Sequence, residues 1–219
     1  SAGQNLYFTA GTSTFDSTTN GEGFGHIFIR NATVKHSPTT VSEILRLNIT
    51  ASSLTLMSGG IIDVSGLGFL SGISGQGGDS YGDAIPSQAL ASFIGAGASH
   101  GGRGGFWSGG LSSDVGAVYG NYKDPQFPGG GAFGMGVTLA GGGVTHITAT
   151  EFCTTNSGGA IRANASPASG GAGGSIYLKC SGFAGDSGTD AITANGGAGV
   201  NGSGSGGGGG RISLISTGA

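Results

Sequence analysis

Two stretches of this chain run in step. GVTHITATEFCTTNSGGAIRANASP (143–167) and GSIYLKCSGFAGDSGTDAITANGGA (174–198) align at an offset of 31 residues without a gap. The offset pairs Ile147 with Leu178, Phe152 with Phe183, Ile161 with Ile192, Ala163 with Ala194 and Asn164 with Asn195. A looser copy lies upstream in LNITASSLTLMSGGIIDVSG, where Ile49, Leu54, Ile62 and Val64 keep nearly the same spacing with one residue deleted. A unit that recurs at fixed spacing is a structural unit that cannot bury its apolar face alone.

Inside each copy the apolar residues alternate. Ile176, Leu178 and Cys180 fall on one face, with Ser175, Tyr177 and Lys179 on the other. GHIFIRN sets Ile27 and Ile29 against His26, Phe28 and Arg30, and RISLI sets Ile212 and Leu214 against Arg211 and Ser213. A period of two over short runs predicts half-buried strands. Glycine recurs too densely for a helix, in which each one is costly. Of 219 residues 52 are Gly, about three times the usual share, yet 36% are hydrophobic and the net charge is −3. Disordered chains combine low hydrophobicity with high charge, so these numbers predict a folded domain. Glycine keeps no strict period of three, which excludes collagen.

The expected fold is therefore all-β: a parallel β-helix or solenoid of stacked strands, with glycine tracts as tight connections. An irregular β-sandwich with glycine-rich loops is the alternative. Residues 1–24 read as an N-terminal arm or first strand and 25–219 as one domain. Residues 67–143 break the repeat and are expected to form a long glycine-rich insertion. The tracts GASHGGRGG, YGNYKDPQFPGGG, GGAGGSIYLKC and ITANGGAG give the span from about Ile62 to Ile215 a further character. It resembles the glycine-rich exoproteins and surface proteins of bacteria and microbial eukaryotes. That resemblance implies a parallel β-helix surface structure, and it implies no known activity or catalytic residue.

Charged residues make up 9% of the chain. Eight scattered Lys and Arg do not form the basic patch a nucleic-acid binder needs. No apolar run reaches the length of a membrane-spanning helix. Sequons at Asn31, Asn48, Asn164 and Asn201 are candidate glycosylation sites, with Asn48 the best placed because it points away from Leu47 and Ile49. Sequons, low charge and two cysteines together suggest an extracellular or cell-surface protein. In the 31-residue alignment Cys180 stacks over Ala149, four residues from Cys153, so a Cys153–Cys180 disulfide is expected. A zinc site is not, because no histidine pair accompanies the cysteines.

The other candidates are weaker signals. GDSGTDAI (185–192) partly matches a calcium-binding nonapeptide, with Gly188, Asp190 and Ile192 in place and Asp186 where the motif needs Gly. Asp79, Asp83 and Asp124 are further oxygen ligands of the kind Ca²⁺ takes. Otherwise no cofactor is expected. Trp107, Tyr119 and Tyr122 are candidate glycan-stacking rings. His100 and Arg103 lie in SHGGRGGFW without the lysine or following helix of a phosphate loop, and are expected to bond glycine-loop carbonyls. No paired carboxylates, nucleophile–base pair or metal triad emerges, so no enzymatic role is expected. Leu6, Tyr7 and Phe8 form an apolar knot in the polar N-terminal stretch and are candidate assembly contacts. RISLI is followed within a few residues by no polar capping unit, which suits either a fragment of a longer chain or a subunit that stacks head to tail, since solenoids without caps associate end to end. The expected function is a structural subunit of a self-assembling surface fibre or filament, joined head to tail to copies of itself. A glycan-binding adhesin module is the alternative.

Overall fold

Alternation decides which side chains go inward. The computed structural model describes residues 3–17, 22–40, 43–70, 96–106, 115–134, 137–167, 170–186, 188, 191–199 and 205–218. Their strands are β1 (Leu6–Phe8), β2 (Gly11–Thr14), β3 (Glu22–Ile29), β4 (Ala32–Lys35), β5 (Leu47–Leu56), β6 (Ile61–Asp63), β7 (Ala132–Gly134), β8 (Val137–Leu139), β9 (Val144–Ala149), β10 (Phe152–Thr155), β11 (Ala160–Arg162), β12 (Ser175–Cys180), β13 (Gly182–Ala184), β14 (Ile192–Thr193) and β15 (Arg211–Ser216).

The chain feeds two parallel sheets in turn. The larger has eight strands in the order β1-β3-β5-β9-β12-β15, with β10 and β13 alongside, and the smaller runs β14-β11-β6-β4-β2. Columns of like residues result. Ile49, Ile147, Leu178 and Leu214 pair in register across the larger sheet, and Val34, Ile62, Ile161 and Ile192 across the smaller. One core cluster draws on both sheets, including Ile27, Leu54, Leu56, Ile62, Ile161 and Ile176. The antiparallel pair β7–β8 stands apart.

Between the two aligned copies the register departs from a uniform offset at one place. β9 pairs with β12 at the 31-residue spacing, Ile147 against Leu178. β10 then pairs with β13 one residue short of it, Phe152 against Gly182 and Cys153 against Phe183. Phe152 and Phe183 are therefore not partners. The Phe152 ring lies over Gly182, where a Cβ would meet its Cε1 at 2.8 Å. The 31-residue spacing returns at Ile161 and Ile192.

The expected fold class, a parallel β-helix or solenoid carrying 67–143 as an insertion, is corrected here, as is its β-sandwich alternative. The finding is a pair of parallel sheets with strands alternating between them. The pairing is of the α/β type, but no helix occurs among the described residues. Every pairing within the two sheets is parallel, whereas a sandwich is built from antiparallel hairpins. Where α/β proteins place helices, this chain places glycine-rich backbone.

That backbone forms a hydrogen-bonded layer which takes in described parts of the supposed insertion. Gly68 N–H donates to Gly141 O, Gly129 N–H to Gly142 O, Gly142 N–H to Ala172 O, Gly173 N–H to Gly208 O and Gly102 N–H to Gly209 O, all at 2.8–3.0 Å. The segment 170–174 alone exchanges bonds with Ala98, Gly130, Gly142, Ala163, Gly197, Ala198 and Gly208. A strand has two neighbours. This segment has more because almost no side chain stands in the way. At Gly142 an added Cβ would lie 2.7 Å from the Ala163 carbonyl carbon, and at Gly196 one would lie 2.6 Å from that of Gly207. Only small residues fit, and Ala98, Ala132 and Ala172 pack as a cluster within the layer.

Candidate functional site

Strand alternation brings Asn48, His146, Tyr177 and Ser213 into one register column on β5, β9, β12 and β15. Their neighbours Leu47, Ile49, Ile147, Ile176 and Leu178 are buried inward, so this column lies on the outer face. The segment 119–128 is tied down across it. Ser213 Oγ donates to Lys123 O at 2.9 Å, Ser175 Oγ to Phe127 O at 2.6 Å, and Tyr119 Oη to Pro128 O at 2.6 Å. Arg211 Nε donates to Tyr119 O at 2.9 Å. Backbone polar groups need partners when covered, and here side chains of the sheet supply them.

The clamped segment presents Asp124 to the column. Its Oδ1 is 3.0 Å from His146 Nε2, and its Oδ2 accepts the Gln126 Nε2 amide at 2.6 Å. The His146 ring lies flat on Tyr177, with centroids 4.2 Å apart and planes 7° apart. Beside this pair, Arg46, Asn48, Gln126 and His146 line a cavity of about 120 Å³. Burial lowers the Arg46 pKa and the nearby Asp124 charge opposes that shift, so a cation and an anion sit at one site.

A second concavity lies at the end of the core. β15 extends the larger sheet beyond β12, while the smaller sheet stops at β14. Cys153, Ile161, Leu178, Phe183, Ile192 and Leu214 line the cleft left under the overhang, about 280 Å³ in volume. Ile212 and Leu214 carry on the buried columns of Ile176 and Leu178, yet they are 44% and 49% exposed.

The residues singled out from sequence are scattered. Tyr119 is buried at 6% exposure with its hydroxyl bonded to Pro128, so it cannot stack on a ligand, and its candidacy is corrected. Burial also raises its pKa far above the usual phenol value. Tyr122 is exposed, with the Lys123 ammonium 5.8 Å from its ring centroid. Trp107, Asp79, Asp83 and Asp190 lie outside the described residues, as does Asn201. Asp186 Oδ1 accepts the Ser157 N–H at 2.8 Å. Among the described residues no group of three or more His, Cys, Asp or Glu could hold a metal ion.

Cys153 and Cys180 form a disulfide with Cα atoms 5.9 Å apart, and the bridge is buried in the core. Asn164 Oδ1 accepts the Asn195 N–H at 2.7 Å, so the two asparagines stack as consecutive steps. Asn31 is exposed at a positive φ of 49°. Asn48 is half-buried beside the cavity. Leu6, Tyr7 and Phe8 form β1, the outermost strand of the larger sheet. His100 Nδ1 bonds Gly173 O at 2.7 Å, and Arg103 Nη2 donates to Val115 O at 3.3 Å. The sequence signal for the Asp124–His146–Gln126 cluster was half present. Alternation turns His146 outward beside Asn48, but nothing local brings Asp124 and Gln126 across the sheet.

No protein family, curated protein or solved structure matches this chain in the three comparisons made. No helix among the described residues is long and apolar enough to cross a membrane.

Proposed function

We propose that this protein is a structural subunit that assembles head to tail with copies of itself, as part of a fibre or filament at the cell surface. The observation that carries this reading is the unmatched end of the core. Among the described residues no strand pairs with the outer edge of β15 or with that of β1. These edges belong to opposite ends of one parallel sheet. A parallel sheet is directional, so one copy's β1 can extend another copy's β15 in the same sense. Such heterologous contacts do not close and build filaments. Open edges are what strand addition uses.

The side chains support the same geometry. Leu6 and Phe8 register with the inward residues Ile27 and Ile29 and are only partly buried. At the other end Ile212, Leu214 and Phe183 leave apolar core uncovered. Exposed apolar surface of this kind marks an interaction site. The buried disulfide supports an oxidising, extracellular setting. Leu6, Tyr7 and Phe8 act here as a sheet edge paired to β3, in place of the free arm also considered for residues 1–24. Binding of glycans through Trp107, Tyr119 and Tyr122 lacks comparable support, because of those three only Tyr122 is an exposed ring among the described residues.

The test is light scattering and negative-stain microscopy over a concentration series of the wild type and the Leu214→Glu variant. Leu214 is half exposed, so the charge is tolerated in the monomer. The expected result is wild-type particles that lengthen with concentration and variant particles that stay single. Single wild-type particles at every concentration, or variant filaments equal to the wild type, would sink the proposal.

A further inference from the structure

We infer that the cavity between Arg46, Asn48, Gln126 and His146 binds the hydroxyl edge of one neutral sugar residue. The four residues lining the cavity lie outside the two assembly edges, and the inference does not rest on that reading.

The chemistry of the walls carries it. Asp124 uses both carboxylate oxygens, one on His146 Nε2 and one on the Gln126 amide nitrogen. Those two bonds fix orientation. With Nε2–H given to Asp124, the His146 Nδ1 holds a lone pair, and Gln126 keeps Oε1 as an acceptor and its second N–H as a donor. A donor and acceptors therefore meet in one small space, and a hydroxyl group both donates and accepts.

Charge argues against an anion. Asp124 stands close enough to Arg46 to oppose its loss of basicity, so the cation is offset by a carboxylate at the same site. Asp124 itself holds two hydrogen bonds. A carboxylate or sulfate entering here would face that charge, whereas a neutral polyol would not. Size argues for a part of a ligand. About 120 Å³ takes the space of several water molecules, enough for a pair of adjacent hydroxyls with their ring carbons. The site is also set in advance. His146 is locked on Tyr177, and the segment bearing Asp124 and Gln126 is pinned to the sheet at Tyr119, Lys123 and Phe127. Prior fixing of polar groups reduces the ordering cost of binding.

The experiment is a proton–nitrogen NMR titration that follows the His146 imidazole. The probes are the methyl glycosides of glucose, galactose, mannose and N-acetylglucosamine, with sodium acetate and sodium sulfate as separate arms. At least one glycoside is expected to shift the His146 signals with saturation. In the Gln126→Ala variant its affinity is expected to fall about tenfold, the worth of one polar contact, while the variant stays folded at the titration temperature, as its backbone amide spectrum shows. The inference is overturned if no glycoside shifts His146, if only acetate or sulfate does, or if Gln126→Ala binds as tightly as the wild type.

Discussion

Replacing Gly142 with alanine adds one methyl group at the centre of the glycine layer. That methyl would lie 2.7 Å from the Ala163 carbonyl carbon and closer still to its oxygen and to Gly174 N. Carbon atoms in contact settle at about 3.5–4.0 Å, so the neighbouring backbone must retreat by roughly 1 Å. It is not free to do so. Gly174 N–H donates to that same Ala163 oxygen at 2.7 Å, Gly142 N–H to Ala172 O at 2.9 Å, and Gly129 N–H to Gly142 O at 2.8 Å. Losing two such buried bonds costs about 1–3 kcal/mol each, and overpacking adds about 1–3 kcal/mol. The expected loss is about 5 kcal/mol, or a midpoint lowered by roughly 10–20 °C for a chain of this length. Gly209→Ala is the matched control. An added Cβ there meets nothing within 4 Å, and its φ lies outside the left-handed region. It should be neutral, or stabilising by about 0.4–1 kcal/mol through the unfolded chain. The assay is guanidinium unfolding of the three proteins, followed by circular dichroism. A Gly142→Ala loss below about 1 kcal/mol, or equal losses in both variants, would refute the argument that close backbone contact is why glycine stands at position 142.

Acid should loosen the fold through two histidines. Burial pushes His100 down to about 4, with Arg211 adding to the shift and the Gly173 bond opposing it; burial also lowers His36, whose Nε2 accepts the Val144 N–H at 3.0 Å. A folded pKa below the unfolded value of 6.5 means that the neutral form is the one bound into the fold. Stability is then full above pH 6.5 and falls as pH drops toward 4, by about 3 kcal/mol for His100. Unfolding midpoints measured from pH 7.5 to 4 check this, and a His100→Gln variant should show a shallower slope; parallel slopes would exclude His100 as the cause. Reduction of Cys153–Cys180 opens a loop whose ends are 27 residues apart and should cost about 3–4 kcal/mol, read as the difference between unfolding curves with and without reductant.

Much of the architecture follows from local pattern. Ile27, Ile29, Ile147, Leu178 and Ile161 turn inward because residues two apart in a strand share a face. The 31-residue spacing aligns Ile147 with Leu178 and brings Cys180 within reach of Cys153. Those are short-range facts, and they are written in the order of the residues. The pairing of sheets in place of the expected class, the one-residue slip that sets Phe183 against Cys153, and the burial of Tyr119 are not. Each depends on which distant backbone comes alongside. The glycine tracts show the limit most plainly. With no side chain, glycine has no face to alternate, so the sequence specifies that segments can approach closely but not which ones do. The same holds at the outer-face site. His146 announces itself by alternation, whereas Asp124 reaches it only because Ser175, Arg211 and Ser213, all more than 50 residues after it in the chain, hold its segment in place. Sequence alone determined the inward and outward faces of the strands, through the geometry of the extended backbone. The tertiary structure alone decided which glycine lies against which, and hence where the cavity and the open edge fall, because hydrogen bonds between featureless segments are chosen by the packing of everything around them.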